Sequence, residues 1–348
     1  MSVSRRTFAQ FSFTFAVLLF GASGYFLPWL YTWEWCGWEP KEAIAPLVQV
    51  IMFGMGVSLT FQDFGRVLRM PKPILVGVVC QFAIMPALAF LCVQLFGLKA
   101  EVAAGLILIG SCPGGVSSNV IAYIADANVP LSVTMTACST LCSPLLTPLA
   151  MMLLAGEYVT MEFLPMMISI IQMILLPILL GLLVNRYGQR LVGWLQPILP
   201  RVAMLAICVI IAVTIALARN DLRMVGMAIF LAAALQNAAA YALGYTGARL
   251  AGLSEIDRRT VALEVSIQNG GMATGLAINV LKSPVMALGS AVYGPWSAVT
   301  STILASYWRR NPVVASDENH EFSSDEIHFA NAGVQFQASD ISAAPPRS

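Results

Sequence analysis

Cys112-Pro113-Gly114-Gly115-Val116-Ser117-Ser118-Asn119 and Glu264-Val265-Ser266-Ile267-Gln268-Asn269-Gly270-Gly271 each interrupt a long apolar segment. Inside a bilayer every unpaired backbone amide or carbonyl is costly, so a helix breaks at membrane depth only where protein or a water-lined cavity satisfies the freed groups. Two such breaks, in corresponding halves of a chain, mark a transport site.

The surrounding composition fixes the solvent. Of 348 residues, 58% are hydrophobic and only 11% charged, against about a quarter charged in a soluble domain. The chain reads as an all-α polytopic membrane protein. Its net charge of +1, with basic residues scattered at segment ends, gives no basic face for nucleic acid. The seven cysteines lie mostly inside apolar runs without metal-ligand spacing, which argues against a zinc or disulfide framework. Both histidines, His320 and His328, fall in the polar C-terminal region. The spans hold no Ser/His pair, acidic dyad or metal triad, so an enzyme is not expected.

With about 20 apolar residues as the unit, ten spans fall near 9–30, 42–61, 73–96, 102–125, 129–154, 161–185, 193–216, 224–248, 257–281 and 285–308. Arg5 and Arg6 precede the first, as in a signal peptide. Its length and its aromatic exit (Tyr25, Phe26, Trp29, Tyr31, Trp33, Trp35, Trp38) favour an uncleaved span. With the N-terminus cytoplasmic, the inside segments carry Arg5, Arg6, Arg66, Arg69, Lys72, Arg186, Arg190, Arg201, Arg249, Arg258, Arg259, Arg309 and Arg310. Only Lys41, Lys99, Arg219, Arg223 and Lys282 lie outside. That asymmetry supports the even count and places both termini in the cytoplasm. Residues 311–348 turn rich in Ser, Asp, Glu, Ala and Pro and read as a disordered cytoplasmic tail.

Spans one to five carry their break in the fourth member, and spans six to ten do the same. Because each unit has an odd number of spans, the second is upside down relative to the first. The expected architecture is one transmembrane domain, 1–310, of two inverted five-helix repeats (about 9–155 and 161–308), with discontinuous helices 4 and 9 crossing. Residues 113–118 align with 269–274 in this scheme. Gly114, Gly115, Gly270 and Gly271 are expected to supply backbone freedom and close approach, unlike Gly105 and Gly181 in ordinary helix.

Glu264 is the only acidic residue that these spans place deep in the membrane. No Lys or Arg is available to it, so it requires a cation, a proton pathway or another partner. Gln81, Ser117, Ser118, Asn119, Ser132, Thr134, Thr136, Gln268 and Asn269 supply oxygens nearby. Hard oxygen ligands with a single carboxylate suit an alkali cation.

At these residues the chain resembles the bile acid:sodium symporter family. The stretches that carry the resemblance are Gly54-Met55-Gly56-Val57-Ser58-Leu59, Cys112 to Asn119, Ser143-Pro144-Leu145-Leu146-Thr147-Pro148 and Glu264-Val265-x-x-Gln268-Asn269. The resemblance implies a panel of helices 1, 2, 6 and 7 and a core of 3–5 and 8–10. It implies two sodium sites: Ser118, Asn119, Ser132, Thr136 and Glu264, and Gln81, Glu264, Gln268 with the carbonyls of Val265 and Ile267. The family commonly places a hydroxyl residue after Pro-Gly-Gly and an asparagine in the tenth helix. Val116 and Ala298 stand there in this chain. Ser117, Asn269 and the half-helix starts beside Gly115 and Gly271 remain as contacts for an organic anion.

The expected function is a sodium-coupled symporter of organic anions, bile-acid-type or smaller carboxylates. It would work by alternating access in an inner or plasma membrane or an organelle envelope. The alternatives are a metalloid-anion or proton-coupled efflux transporter of the same architecture, and a non-transporting membrane receptor.

Overall fold

The computed structural model describes residues 3–98 and 100–312, and among them every regular element is helical. In chain order these are α1 (Val3–Phe26), α2 (Ile44–Ser58), α3 (Phe61–Arg69), α4 (Pro71–Phe96), α5 (Ala100–Ser111), α6 (Ser117–Ile124), α7 (Val129–Ala155), α8 (Phe163–Ile170), α9 (Leu176–Tyr187), α10 (Gln189–Leu195), α11 (Leu199–Leu217), α12 (Arg219–Leu250), α13 (Glu255–Ser266), α14 (Gly270–Gly275) and α15 (Leu288–Arg310). A π-helical turn, Ile171–Leu175, joins α8 to α9 in one rod, and a second, Leu276–Val280, extends α14.

Five helices among the described residues are long and apolar enough to cross a membrane: Pro71–Phe96, Val129–Ala155, Phe163–Tyr187, Leu199–Leu217 and Arg219–Leu250. The other expected spans take different forms. The apolar run 42–61 stops at Ser58, because Thr60 and Asp63 form a capping box that starts α3, bent by 76° from the preceding helix. Segments 102–125 and 257–281 are broken, as their glycines suggest. α15 is long but carries Ser290, Ser297, Thr300, Ser301 and Thr302 along an apolar rod. The tail lies beyond residue 312, outside the described residues.

Local signals set the helix ends. Gly97 adopts φ +60° and closes α4 in a left-handed cap. Asn128 accepts the Leu131 amide at 3.0 Å to start α7, and Ser254 accepts that of Asp257 at 3.2 Å to start α13.

The helices pack in two bundles. α2 lies against α9 and α11, and α11 against α1. α4 packs on α5, α7 and α12, α12 on α13 and α15, and α15 on α5 and α6. Between the bundles runs an apolar cleft lined by Met55 and Leu59 of α2, by Ala137, Thr140 and Leu141 of α7, and by Leu175, Ile178, Leu179 and Leu182 of the α8–α9 rod. The breaks between α5 and α6 and between α13 and α14 meet inside the second bundle.

Candidate functional site

At the breaks the two segments pair with each other. The Gly115 amide donates to the Ile267 carbonyl at 2.8 Å and the Asn269 amide to the Pro113 carbonyl at 3.0 Å, forming one antiparallel bridge between Gly114 and Gln268. Side chains take further freed carbonyls. Gln81 Nε2 donates to Cys112 O at 2.9 Å, and Thr147 Oγ1 to Ser111 O at 2.7 Å. Tyr293 Oη and Asn237 Nδ2 both donate to Ser266 O, at 2.8 and 3.0 Å. This is the satisfaction that broken helices need away from water.

The bridge also sorts the glycines. None of Gly114, Gly115, Gly270 and Gly271 has a positive φ, so backbone freedom is not what selects them. A Cβ on Gly114 would collide with Glu264 Oε1, and one on Gly115 would sit 2.6 Å from Gln268 O. On Gly270 and Gly271 the nearest atoms are 4.0 and 3.7 Å away, ordinary contact. Gly105 and Gly181, expected in ordinary helix, instead stand against the Met286 and Phe53 carbonyls with no room for a side chain. Close approach, not membership of a break, is what Gly105, Gly114, Gly115 and Gly181 share.

Beside the bridge lies Glu264, 1% exposed near the end of α13. Its Oε2 accepts from Ser132 Oγ at 2.8 Å and its Oε1 from Thr136 Oγ1. Ser132 Oγ also lies 2.9 Å from Asn119 Oδ1 and 3.4 Å from Ser118 Oγ, and Thr136 Oγ1 lies 3.4 Å from both Ser118 Oγ and Asn119 Oδ1. Three hydroxyl protons therefore face two carboxylate oxygens, an amide oxygen and each other's lone pairs, since each hydroxyl donates once. No Lys or Arg makes an ion pair with Glu264 among the described residues. The cluster is richer in acceptors than in protons, a deficit of the kind that a cation or an added proton fills.

A second group adjoins it. Gln81 Nε2 donates to Gln268 Oε1 at 2.9 Å, and Gln268 Nε2 to the Val265 carbonyl at 2.6 Å. Gln81 Oε1 is buried without a hydrogen-bond partner among the described residues. Gln81 and Glu264 line one small recess together with Gly77, Val78, Met135 and Ser139. The Ile267 carbonyl already accepts the Gly115 amide but keeps a second lone pair. An orphaned amide oxygen, backbone carbonyls and a shared carboxylate fit a hard cation.

The residues expected near an organic substrate are more dispersed. Asn269 is buried and caps α14 through Oδ1, accepting the Met272 amide at 3.0 Å, while its Nδ2 points at Met52 Sδ 3.8 Å away. Gly115 is buried, Ser117 exposed, and Val116, Gly271 and Ala298 half-buried. Thr134, counted among the nearby oxygens, turns away and donates to the Pro130 carbonyl of its own helix at 2.8 Å.

Sequence reasoning missed Asn237 and Tyr293, which hold the carbonyl end of α13. Asn237 was visible as an amide within the apolar run 229–243, the same signal that singled out Gln81. It also missed two ties at the outer ends of the crossing. Asn128, after α6, donates through Nδ2 to Asp257 in the first turn of α13 at 2.8 Å. Ser283, after α14, donates to Glu101 in the first turn of α5.

A helical integral membrane protein, with an acceptor-rich oxygen cluster buried where two broken helices cross, is the class that this fold and site define. The profile of the Sodium Bile acid symporter family matches residues 45–225. The chain is 36% identical over 303 residues to the uncharacterized sodium-dependent transporter YocS of Bacillus subtilis (strain 168), covering 87% of this chain and 92% of that one. It is 35% identical over 280 residues to the probable sodium/metabolite cotransporter BASS1, chloroplastic, of Arabidopsis thaliana (80% and 69%), and 33% identical over 282 residues to the corresponding BASS2 of Oryza sativa subsp. japonica (81% and 67%). The chain belongs to the sodium bile acid symporter family.

Proposed function

We propose that this protein is a sodium-coupled symporter of organic anions that works by alternating access. The observation that carries the reading is the excess of acceptors around Glu264, a buried carboxylate ringed by Ser118, Asn119, Ser132 and Thr136 with no basic partner among the described residues. Its relatives' names support sodium as the coupling ion, and the word metabolite in two of them fits an organic substrate.

One sodium ion binds Ser118, Asn119, Ser132, Thr136 and Glu264. A second binds Gln81, Glu264, Gln268 and the carbonyls of Val265 and Ile267. Binding neutralises the carboxylate and ties the end of α13 to α6 and α7, which orders the crossing. The anion then meets Asn269 Nδ2, Ser117 and the starts of α6 and α14, beside Val116, Gly115, Gly271 and Ala298. The bundle of α1, α2, α9 and α11 acts as the panel, and the other as the core that moves against it. Ten spans in two inverted repeats, a single domain over 1–310, and cytoplasmic ends with the tail 311–348 complete the reading.

Glu264→Gln preserves shape and removes the charge. In proteoliposomes this variant should lose concentrative uptake under a sodium gradient while folding normally. Wild-type sodium-driven uptake in Glu264→Gln sinks the reading. Substrate candidates are ranked by thermal shift of the wild type with organic anions in sodium against potassium, because only a coupled ligand stabilises the native state more in sodium.

A further inference from the structure

The short helix α10 lies between two membrane-length helices, Phe163–Tyr187 and Leu199–Leu217, so the chain itself holds it at a bilayer surface. Only Val192 of its seven residues is buried. Leu191 and Trp194 are 47% and 65% exposed, and Tyr187, one residue before the helix-ending Gly188, is 81% exposed. At about 100° per residue, Arg190, Leu191 and Trp194 share an arc of about 100°, with Val192 facing the other way. Arg186 and Arg190 are exposed and have no acidic partner among the described residues. None is near in sequence either, since no Asp or Glu occurs between Glu162 and Asp221. Apolar side chains that large face water at a cost, and two unneutralised guanidinium groups beside them call for an anionic surface that also offers hydrocarbon.

We propose that α10 is an interfacial helix that binds anionic phospholipid. Arg186 and Arg190 hold headgroup phosphates, and Leu191 and Trp194 sit among the upper acyl chains. Because α10 joins α9 to α11, the lipid contact anchors the bundle containing α1 and α2 in the membrane plane.

The test uses the full chain in detergent, titrated with short-chain phosphatidylglycerol and, as reference, phosphatidylcholine of equal chain length, reading thermal stabilisation. The wild type should respond to phosphatidylglycerol at the lower concentration. Arg186→Gln and Arg190→Gln should each weaken that response about fivefold and leave the phosphatidylcholine response unchanged. Arg190→Lys should keep most of it, and Arg249→Gln, at another helix end, all of it. Equal wild-type responses to the two lipids, or an undiminished preference in the double glutamine variant, overturns the proposal. In vesicles of brominated lipid, Trp194→Phe should lose a measurable share of the tryptophan quenching. Unchanged quenching places Trp194 off the bilayer, overturns the lipid surface and points to a protein partner. Neither readout involves transport, so failure here leaves the symporter reading to its own test.

Discussion

Replacing Gly114 by alanine puts a methyl group where Glu264 Oε1 now stands. The backbone at Gly114 accepts alanine, since its φ is not positive. The atoms nearest the new Cβ all belong to the Glu264 side chain, with Cδ at 3.2 Å and Cγ at 3.5 Å after Oε1. A carboxylate yields more readily than backbone, so the fold should survive while Glu264 swings out of its contact with Thr136. A hydrogen bond to a charged group contributes about 1.5–3 kcal/mol, and about 1.4 kcal/mol is a factor of ten. Sodium affinity is therefore expected to fall between about tenfold and a hundredfold. The assay is sodium titration of thermal stabilisation, with potassium holding ionic strength constant. Gly271→Ala, with its nearest neighbour at 3.7 Å, should titrate like wild type. Gly105→Ala, driven against the Met286 carbonyl, should lower stability even without sodium. Wild-type half-saturation in Gly114→Ala would mean that the Glu264 carboxylate is not a sodium ligand held against this glycine.

Gln81→Ala should raise the sodium concentration for half-maximal uptake, and Asn119→Ala should do so independently; matching wild-type titrations for both would refute the assignment of the two oxygen groups. Tyr293→Phe should destabilise by about 1 kcal/mol, because Asn237 still covers the Ser266 carbonyl, whereas Asn237→Ala combined with Tyr293→Phe leaves it unpaired and should cost about 1–3 kcal/mol more. Thermal midpoints that ranked the double variant level with the single one would contradict that pairing. Asp257→Asn and Glu101→Gln should each slow uptake at saturating sodium, and unaltered maximal rates in both would assign their contacts no part in the moving unit.

The breaks were legible because paired glycines, next to proline or asparagine, recur at corresponding places in the two halves, whereas a lone proline such as Pro86 or Pro295 sits inside an unbroken helix. The oxygen cluster was legible for a related reason. Glu264, Gln81 and Asn119 are expensive in such runs, and their cost announces a common purpose. What could not be read was which atoms come near each other across the bundle. Gly105 and Gly114 are the same residue type in similar apolar surroundings, yet one faces a carbonyl of the Val285–Met286 turn and the other a carboxylate. Asn269, expected as a substrate contact, also spends its oxygen capping α14, a second role that the sequence did not announce. The expected second span ran to residue 61 because apolarity continues past Ser58, and the local polar pair Thr60 and Asp63 outweighs it. The span count, by contrast, hid α10 altogether, since seven residues between two hydrophobic stretches carry no period of their own.

The Asn128–Asp257 and Ser283–Glu101 ties, together with the two amide bonds of the central bridge, connect the crossed segments at three separated points. Two rods joined only where they cross would pivot like scissors. Fastened at the crossing and again near both tips, they form a braced frame that changes angle only by breaking a hydrogen bond. On the proposed reading, a cation bound at the centre would be felt at both faces of the protein as displacement of a single stiff piece. The Gly115 and Asn269 amides should accordingly exchange with deuterium at the rate of global opening and no faster. Exchange at those two amides ahead of the rest of α13 would show that the frame flexes at its joint.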